Sequence, residues 1–186
     1  MKNTKSNGIG SKFKIIVHEI SNLKRTEFPS DLLIERQFKP AKIVFYELYS
    51  LPHYEHPSVA QIMNENDGFQ YDPYDQLSSY INTVCSHYED NYHQILGYDR
   101  SVQSSAVYDF AQLELGVYDS RGNEITERWN EIVELSKKYD LLLQLDTGDS
   151  NTDLDRFGSG GVLYFGITKN DLSNQNFNKI KMTHQW

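Results

Sequence analysis

A loop rich in aspartate is the first group whose residue types could do chemistry. Asp146, Asp149, Asp153 and Asp155 follow an apolar run, and hard cations such as calcium bind clustered carboxylates in flexible loops. The spacing departs from an EF-hand, because loop positions three, six and twelve carry glycine, asparagine and phenylalanine. We expect a solvated loop with Asx turns, without a metal or other cofactor. The alternative is a cation-dependent or small-molecule-acting enzyme that uses the Asp146–Gly161 loop.

Three glycines lie at the end of this loop and resemble a phosphate cradle. They are Gly158, Gly160 and Gly161. A phosphate-binding loop follows a strand and opens a helix, whereas these glycines precede an apolar run that reads as a strand. A tight turn or bulge that needs positive φ is the better interpretation. Ser159 lacks the context of a nucleophile elbow for the same reason.

The histidines and the single cysteine do not form a catalytic or metal-binding pattern. His53 and His56 are three residues apart, and His87 and His93 are six apart, whereas helical metal pairs prefer a spacing of four. We expect His93 to pack or hydrogen-bond at a helix end. Cys85 lies in an acidic stretch, which disfavours a reactive thiolate, and on an apolar stripe, so we expect it in the core.

Tyrosines and acidic residues are concentrated in the middle of the chain. Exposed together, such residues would recognise a basic partner, because tyrosine supplies a large contact area at low entropy cost. The alternative is that Tyr80, Tyr88 and Tyr92 line the core face of a helix. The candidates for partner binding are Asp72, Tyr74, Asp75, Glu89, Asp90 and Tyr98.

The charge distribution also favours the middle of the chain as a surface for a basic partner. The chain of 186 residues has a net charge of −8. Between Ile43 and Ser120 twelve acidic residues face one basic residue, Arg100, which gives a local charge of −11. A nucleic-acid binder needs a basic face, so this class is excluded. An acidic centre attracts a basic protein or simply keeps the chain soluble, and both interpretations stay open. The sequence leaves the oligomeric state open.

The apolar pattern predicts helices between strands. A long helix begins at Asp72, its N-cap, and an apolar stripe continues from Leu77 to Ile95 and faces a core. Thr168 and Asp171 resemble a capping box that opens a short helix. The other predicted helices are Pro57–Glu65, Ser105–Leu115 and Glu124–Lys138, with a weak helical turn at Asp31–Gln37, and the predicted strands are Phe13–His18, Lys42–Leu48, Leu141–Leu145, Val162–Ile167 and Asn178–Met182.

These elements predict an α+β fold, with a mixed or mostly antiparallel sheet and three main helices packed on it. Residues 1–11 are expected to form a flexible tail and residues 12–186 a single domain. No apolar run approaches the ~18 residues that span a bilayer, and the start has no secretory signal, so we expect no membrane association and a cytoplasmic location.

Three sequence runs carry a resemblance to a known family. They are YHQILGYDRSVQSS (Tyr92–Ser105), LLLQLDTGDS (Leu141–Ser150) and FGSGGVLYFGITKNDLSNQNF (Phe157–Phe177). In this order they resemble the YwqG-like family of bacterial proteins, and the matching spacing runs from about Phe13 to the end.

The resemblance implies a bacterial, cytoplasmic domain of unknown function, with no accepted catalytic residues. Some members of the family lie near polymorphic toxin genes, which implies toxin neutralisation as a hypothesis. The resemblance implies two departures from the family: we expect the chain to start after an additional N-terminal region of the family, and Ser159 stands where the family tends to have an aspartate. The favoured function is a non-enzymatic protein-binding module, more specifically an immunity-type inhibitor of a basic toxin. A degenerate remnant of the family is a further alternative.

Overall fold

The computed structural model describes the backbone of residues 18–24, 26–47, 49–65, 71–85, 93–118, 123–157 and 160–186. Within these ranges lie six α-helices and four strands. The helices are α1 (Pro57–Glu65), α2 (Tyr71–Cys85), α3 (Ala106–Leu115), α4 (Asn123–Glu127), α5 (Trp129–Ser136) and α6 (Lys169–Ser173), and the strands are β1 (Gln94–Ile95), β2 (Tyr139–Asp146), β3 (Val162–Thr168) and β4 (Lys181–Gln185). Short 3₁₀ turns occupy Ile20–Asn22, Ile34–Arg36, Leu154–Phe157 and Phe177–Lys179.

The four strands form one antiparallel sheet in the order β1-β2-β3-β4. Tyr139 pairs with Thr168 at one end of the β2–β3 ladder, and Asp146 pairs with Val162 at the other. The register shifts between Leu141 and Leu143, which indicates a bulge or irregularity in the ladder. Because the strands are antiparallel, the residues just before β2 and just after β3 lie at the same end of the sheet.

The core lies between the sheet and α3. Phe110 on α3 is fully buried with Leu141 and Tyr164 of the sheet. On the other side of α3, Ala111 packs with the buried Ile132 of α5. Helix α3 therefore contributes to two apolar clusters, which explains why five of its first six residues are buried. It is the central helix of the fold.

The structure confirms the α+β class and several local predictions. Helix α1 has the predicted bounds, and α3 begins after Ser105 and ends at Gly116, which has a left-handed φ of 73°. The capping box is also present: the Asp171 N–H donates to Thr168 Oγ1 at 3.1 Å, and the Thr168 hydroxyl donates to Asp171 Oδ2 at 2.6 Å. At Asp31–Gln37 the helical turn is a 3₁₀ turn over Ile34–Arg36.

The strand predicted at Lys42–Leu48 is wrong for the residues described. Residues 42–47 form no strand, and Ile43 and Phe45 are 74% and 73% exposed. The β-branched and aromatic composition of this segment does not suffice, because a strand is stable only when it pairs. The strand predicted at Phe13–His18 lies outside the described residues except for His18, which is not in a strand, and the predicted tail 1–11 lies outside them too.

The prediction of one long helix from Asp72 to Ile95 is wrong at both ends. Helix α2 begins at Tyr71, so Asp72 is inside its first turn and is not the N-cap. Ile95 belongs to β1, because it pairs with Leu143 across the sheet. Most of the described apolar stripe of α2 is exposed instead of buried: Leu77, Tyr80 and Val84 are 48%, 65% and 60% exposed, and Ile81 is half-buried. The side chain of Cys85 lies outside what the structure describes.

Two further boundaries differ from the prediction. The helix predicted at Glu124–Lys138 is two helices, because the backbone of Arg128 leaves the helical region (φ −100°, ψ 11°) and separates α4 from α5. The last strand begins at Lys181 and ends at Gln185, three residues beyond the end of the predicted strand. Its pairing with β3 sets these bounds.

Candidate functional site

The aspartates after β2 are engaged in turns. Asp146 is buried, and its Oδ1 accepts the Gly148 N–H at 2.7 Å. Asp149 is also buried, and its Oδ1 accepts the N–H and the side-chain amide of Asn151 at 2.9 and 3.0 Å. These are the Asx turns that the sequence predicts, but the two carboxylates are buried, so the loop is not solvated at these positions as expected.

His93 connects this loop to the beginning of β1. Its Nδ1 accepts the backbone N–H of Asp146 at 3.2 Å, so the proton is on Nε2, which donates to Asp149 Oδ2 at 3.1 Å. Burial acts to raise the pKa of Asp149, but the hydrogen bonds from Asn151 and His93 outweigh burial, and the pKa lies below its usual value. His93 thus forms hydrogen bonds as predicted, directly before β1, whereas the helix end predicted beside it falls on residues 86–92, which lie outside the described residues.

The outer part of the loop holds the segment around Lys39. Asp153 Oδ2 accepts the Lys39 N–H at 2.9 Å, a bond that lowers the pKa of Asp153, and the Lys39 Nζ lies 3.8 Å from Asp153 Oδ1. Arg156 donates to the carbonyls of Glu35 and Gln37 at 2.9 and 3.0 Å. Asp155 is exposed. Within the described part of the chain, no three His, Cys, Asp or Glu side chains are grouped to hold a metal ion.

Glycines close the loop as predicted. Gly160 and Gly161 have positive φ values of 90° and 116°, a region that favours glycine. The Gly161 carbonyl accepts the N–H and the hydroxyl of Thr147 at 2.8 and 2.9 Å. Gly158 and Ser159 lie outside the described residues. The described contacts of this loop therefore connect the end of the sheet to residues 35–39.

Buried polar side chains fix residues 94–106, a feature that the sequence patterns did not identify. Gln94 Nε2 donates to the carbonyls of Leu96 and Tyr98 at 2.6 and 2.8 Å, and Gln144 Oε1 accepts the Arg100 N–H at 3.0 Å. Asp99 accepts the Ala106 N–H at 2.9 Å and caps α3. A glutamine inside the apolar run Leu141–Leu145 was the available signal, because a buried amide needs partners.

Gln185 completes this network from β4. It is 2% exposed. Its Oε1 accepts the N–H groups of Val102 and Gln103 at 3.2 and 3.1 Å, and its Nε2 donates to the Ser104 carbonyl at 2.8 Å and to Asp109 Oδ2 at 3.1 Å. Burial raises the pKa of Asp109, and the hydrogen bonds from Gln185 and Thr183 oppose this effect.

The structure brings together three of the six residues predicted to bind a partner. Tyr74 on α2 donates its hydroxyl to the Pro52 carbonyl at 2.5 Å. Burial, followed by the proximity of Tyr98 and Asp75, raises the pKa of Tyr74 to about 12. Asp75 and Tyr98 are exposed. Glu89 and Asp90 lie outside the described residues, as does the side chain of Asp72.

A cleft of about 530 Å³ opens at the end of the sheet where β2 begins and β3 ends. Pro57, Val107, Leu141 and Leu172 supply apolar lining. The groups in the cleft that could bind a ligand are polar or charged: His56, Tyr98, Asp99, Lys137, Asp140 and Lys169. The volume is within the range of small-molecule sites, ~300–1,000 Å³.

His56 is held as a neutral imidazole in this cleft. Its Nδ1 accepts the Ser58 hydroxyl at 2.7 Å and the Ser58 N–H at 3.3 Å, so the proton is on Nε2. Burial lowers the pKa of His56, although Asp99 and Asp140 oppose this effect. The His56 ring meets the Tyr98 ring edge to face, with centroids 5.2 Å apart.

Comparison with known families identifies the chain. A family model described as a domain of unknown function, DUF1963, matches residues 3–185. The chain belongs to the DUF1963 family. No curated protein and no solved structure matches the chain. Among the helices that the structure describes, none has both the length and the apolar character that a membrane span requires.

The three sequence runs Tyr92–Ser105, Leu141–Ser150 and Phe157–Phe177 contain several of the residues that hold this fold. Gln94 and Asp99 lie in the first run, Gln144 and Asp149 lie in the second, and the Thr168 cap of α6 lies in the third. Helix α2 and its exposed apolar stripe lie outside all three runs. The three runs therefore carry buried polar residues of the fold, whereas the exposed apolar face of α2 lies elsewhere in the chain.

Proposed function

We propose that this DUF1963 domain is a non-enzymatic, YwqG-like protein-binding module that docks α2 onto a basic partner protein. As the more specific hypothesis, we propose a bacterial immunity-type inhibitor of a basic toxin in the cytoplasm. A cytoplasmic location is consistent with one cysteine, Cys85, which leaves no internal disulfide to form.

The observation that carries the proposal is the exposed apolar stripe of α2. Leu77, Tyr80 and Val84 follow the spacing of three and four residues that places side chains on one face of a helix, and each is about half exposed or more. An amphipathic helix that presents such a face fits an apolar groove on another protein. Burying these side chains in a groove would stabilise the complex through the hydrophobic effect.

Charge determines the kind of groove. Asp75 is exposed on the same helix, and the block Ile43–Ser120 that contains α2 has a local charge of −11. A groove rimmed by lysine or arginine complements this charge and increases the rate of encounter. Exposed ion pairs are screened by salt, so the affinity of the complex should decrease as the ionic strength rises.

The loop enzyme receives less support from the geometry. Asp146, Asp149 and Asp153 each accept hydrogen bonds from the backbone, and they do so in three separate places along the loop. Carboxylates that act on a shared cation must converge on it. We therefore rank the binding module above the enzyme.

The test is capture and reconstitution with matched variants. Leu77→Ser, Tyr80→Ser and Val84→Ser are combined in one variant, and Ile43→Ser, Val44→Ser and Phe45→Ser in a control that removes exposed apolar surface elsewhere. A stoichiometric basic protein captured from the native organism is purified, and its affinity for each variant is measured by calorimetry at two ionic strengths. We expect the α2 variant to lose at least ~2 kcal/mol, the size of a hot spot, and the control to bind normally.

A charge variant tests the electrostatic part separately. Reversing Asp72, Asp75, Glu89 and Asp90 to lysine should weaken the complex and reduce its salt dependence without unfolding the domain. The matched control reverses four exposed acids elsewhere in the chain, Glu19, Glu27, Asp31 and Asp155, to lysine. Unchanged affinity in both the α2 variant and the charge variant would refute the proposal, and so would an equal loss in the controls.

A further inference from the structure

We propose that the cleft at the β2–β3 end of the sheet binds a small molecule that joins an anionic group to a flat apolar body. This cleft is lined by α1, residues 96–99, the start of β2 and α6, and it is a different feature from the α2 face. The proposal does not depend on the protein-binding function.

The sheet register places two lysines together at the cleft. Lys137 lies two residues before β2, and Lys169 directly follows β3. Tyr139 pairs with Thr168, and the Lys169 N–H donates to the Lys138 carbonyl at 3.1 Å. These backbone contacts bring two lysines from distant parts of the chain to the lining of one cleft, in a protein whose net charge is −8.

Both ammonium groups keep donors for a ligand. Among the described residues, the Lys137 Nζ lies 2.6 Å from Glu134 Oε1, and the Glu134 side chain is 70% exposed. The Lys169 Nζ lies 3.7 Å from Asp140 Oδ1. Exposed ion pairs of this kind contribute little, and an ammonium group has three donors. An anionic group can therefore bind both lysines without a large loss.

The two acidic residues of the lining, Asp99 and Asp140, already have partners within the fold. Asp99 is 3% exposed, and its two oxygens accept hydrogen bonds from the hydroxyls of Ser101 and Ser105 and from the Ala106 N–H. These donors occupy the Asp99 carboxylate. Asp140 lies beside Lys169. Of the four charged side chains of the lining, Lys169 is the most exposed, at 67%, so it is the charged group most accessible to a ligand.

The remaining lining fits a flat apolar body. His56 is neutral, as its hydrogen bonds to Ser58 indicate, and its ring and that of Tyr98 lie edge to face beside Leu141 and Val107. Aromatic rings pack favourably against such walls, and the His56 Nε2–H and the Tyr98 hydroxyl can orient a polar substituent.

The experiment titrates the whole chain with indole-3-acetate and, as a neutral isostere, indole-3-acetamide, and follows backbone amide signals by NMR. We expect saturable shifts at Gly97, Tyr98 and Leu141 with indole-3-acetate, at a Kd of roughly 1 mM as for a fragment-sized ligand. The amide should bind at least about tenfold more weakly, because it does not form charge-assisted hydrogen bonds with the lysines.

Variants assign the binding to the two lysines. Lys137→Gln and Lys169→Gln, singly and together, should weaken indole-3-acetate binding, and the double variant should lose about tenfold or more. Lys138→Gln is the matched control, because this lysine is exposed, adjacent in sequence and absent from the cleft lining. It should bind as the unmodified chain does. Both substituted side chains are at least partly exposed, and an amide spectrum like that of the unmodified chain verifies the fold.

Three results would overturn the proposal. The first is the absence of saturable shifts at the cleft with indole-3-acetate. The second is equal binding of the acid and the amide, which would indicate an apolar site without anion recognition. The third is binding that the double lysine variant leaves unchanged.

Discussion

Replacing Gln185 with leucine tests whether buried amide groups hold residues 94–106 on the sheet. The substitution removes both polar atoms and leaves an apolar side chain that is branched at Cγ and one atom shorter. It breaks four hydrogen bonds, to the Val102 and Gln103 N–H groups, the Ser104 carbonyl and Asp109 Oδ2. The side chain is 2% exposed, so water cannot replace it in its present position.

The expected loss of stability follows from these four bonds. The bond to the Asp109 carboxylate contributes about 1.5–3 kcal/mol and each neutral bond about 0.5–1.5 kcal/mol. Val102 and Gln103 are exposed residues, so their N–H groups recover part of the loss through water. We expect a loss of about 3 kcal/mol at pH 7, which lowers the melting temperature by roughly 6–12 °C for a chain of this size.

The loss should depend on pH in a defined direction. The folded-state pKa of Asp109 is raised by burial, so this residue destabilises the fold as the pH rises from about 3.8 through the folded value. Gln185 opposes that shift. Without Gln185 the pKa of Asp109 should rise further and its penalty at pH 7 should increase. The difference between variant and unmodified chain should therefore be smaller at pH 4.5 than at pH 7.

Urea unfolding at the two pH values measures both effects, with Gln103→Leu as the control. Gln103 is exposed and donates one bond, to the Trp186 carbonyl at 2.9 Å, so its loss should cost below about 1 kcal/mol. A loss for Gln185→Leu below about 1 kcal/mol at pH 7 would refute the reasoning. A loss of equal size at both pH values would refute the role assigned to Asp109.

Two further variants test the core and the loop. Gly166→Ala should destabilise the fold by about 3 kcal/mol or prevent folding, because a Cβ at Gly166 would overlap the buried Phe110 ring. In the control Gly116→Ala the added Cβ meets no atom within 4 Å, so it should cost only about 1 kcal/mol for the left-handed φ. Equal melting temperatures of the two variants would contradict this. His93→Ala should cost about 1–2 kcal/mol at pH 7 in urea unfolding, because Asp149 and the Asp146 N–H each lose a partner. The lowered pKa of Asp149 stabilises the fold above pH ~3.8, and this contribution is lost in acid. The loss of unfolding free energy in His93→Ala should therefore become smaller as the pH falls towards 3.8 and below. A loss that becomes larger in acid would contradict this.

Local signals in the sequence predicted the elements that are stabilised locally. The bounds of α1, the glycine that ends α3 and the capping box at Thr168 depend on residues within one helical turn. The apolar runs of β2 and β3 were also found, because both strands are partly or fully buried and their composition is unambiguous.

Predictions failed where the outcome depends on distant residues. The segment Lys42–Leu48 has strand composition, yet residues 42–47 find no partner strand among the described residues. Ile95 continues the period of the preceding helix, yet it pairs with Leu143, which is 48 positions away in the chain. The cleft draws its lining from segments that only the sheet register brings together, so spacing along the chain does not reveal it.

The distribution of polar residues explains why family membership does not assign a function here. The buried groups Gln94, Asp99, Gln144 and Gln185 satisfy backbone atoms of one segment, and substitutions there act first on stability. The α2 stripe and the two cleft lysines are at least partly exposed, so substitutions there are expected to cost little stability. A fold can host unrelated functions on such surfaces. A variant that abolishes binding and leaves the stability of the fold unchanged would therefore locate the functional surface. A variant that lowers both binding and stability would show only that the residue supports the fold.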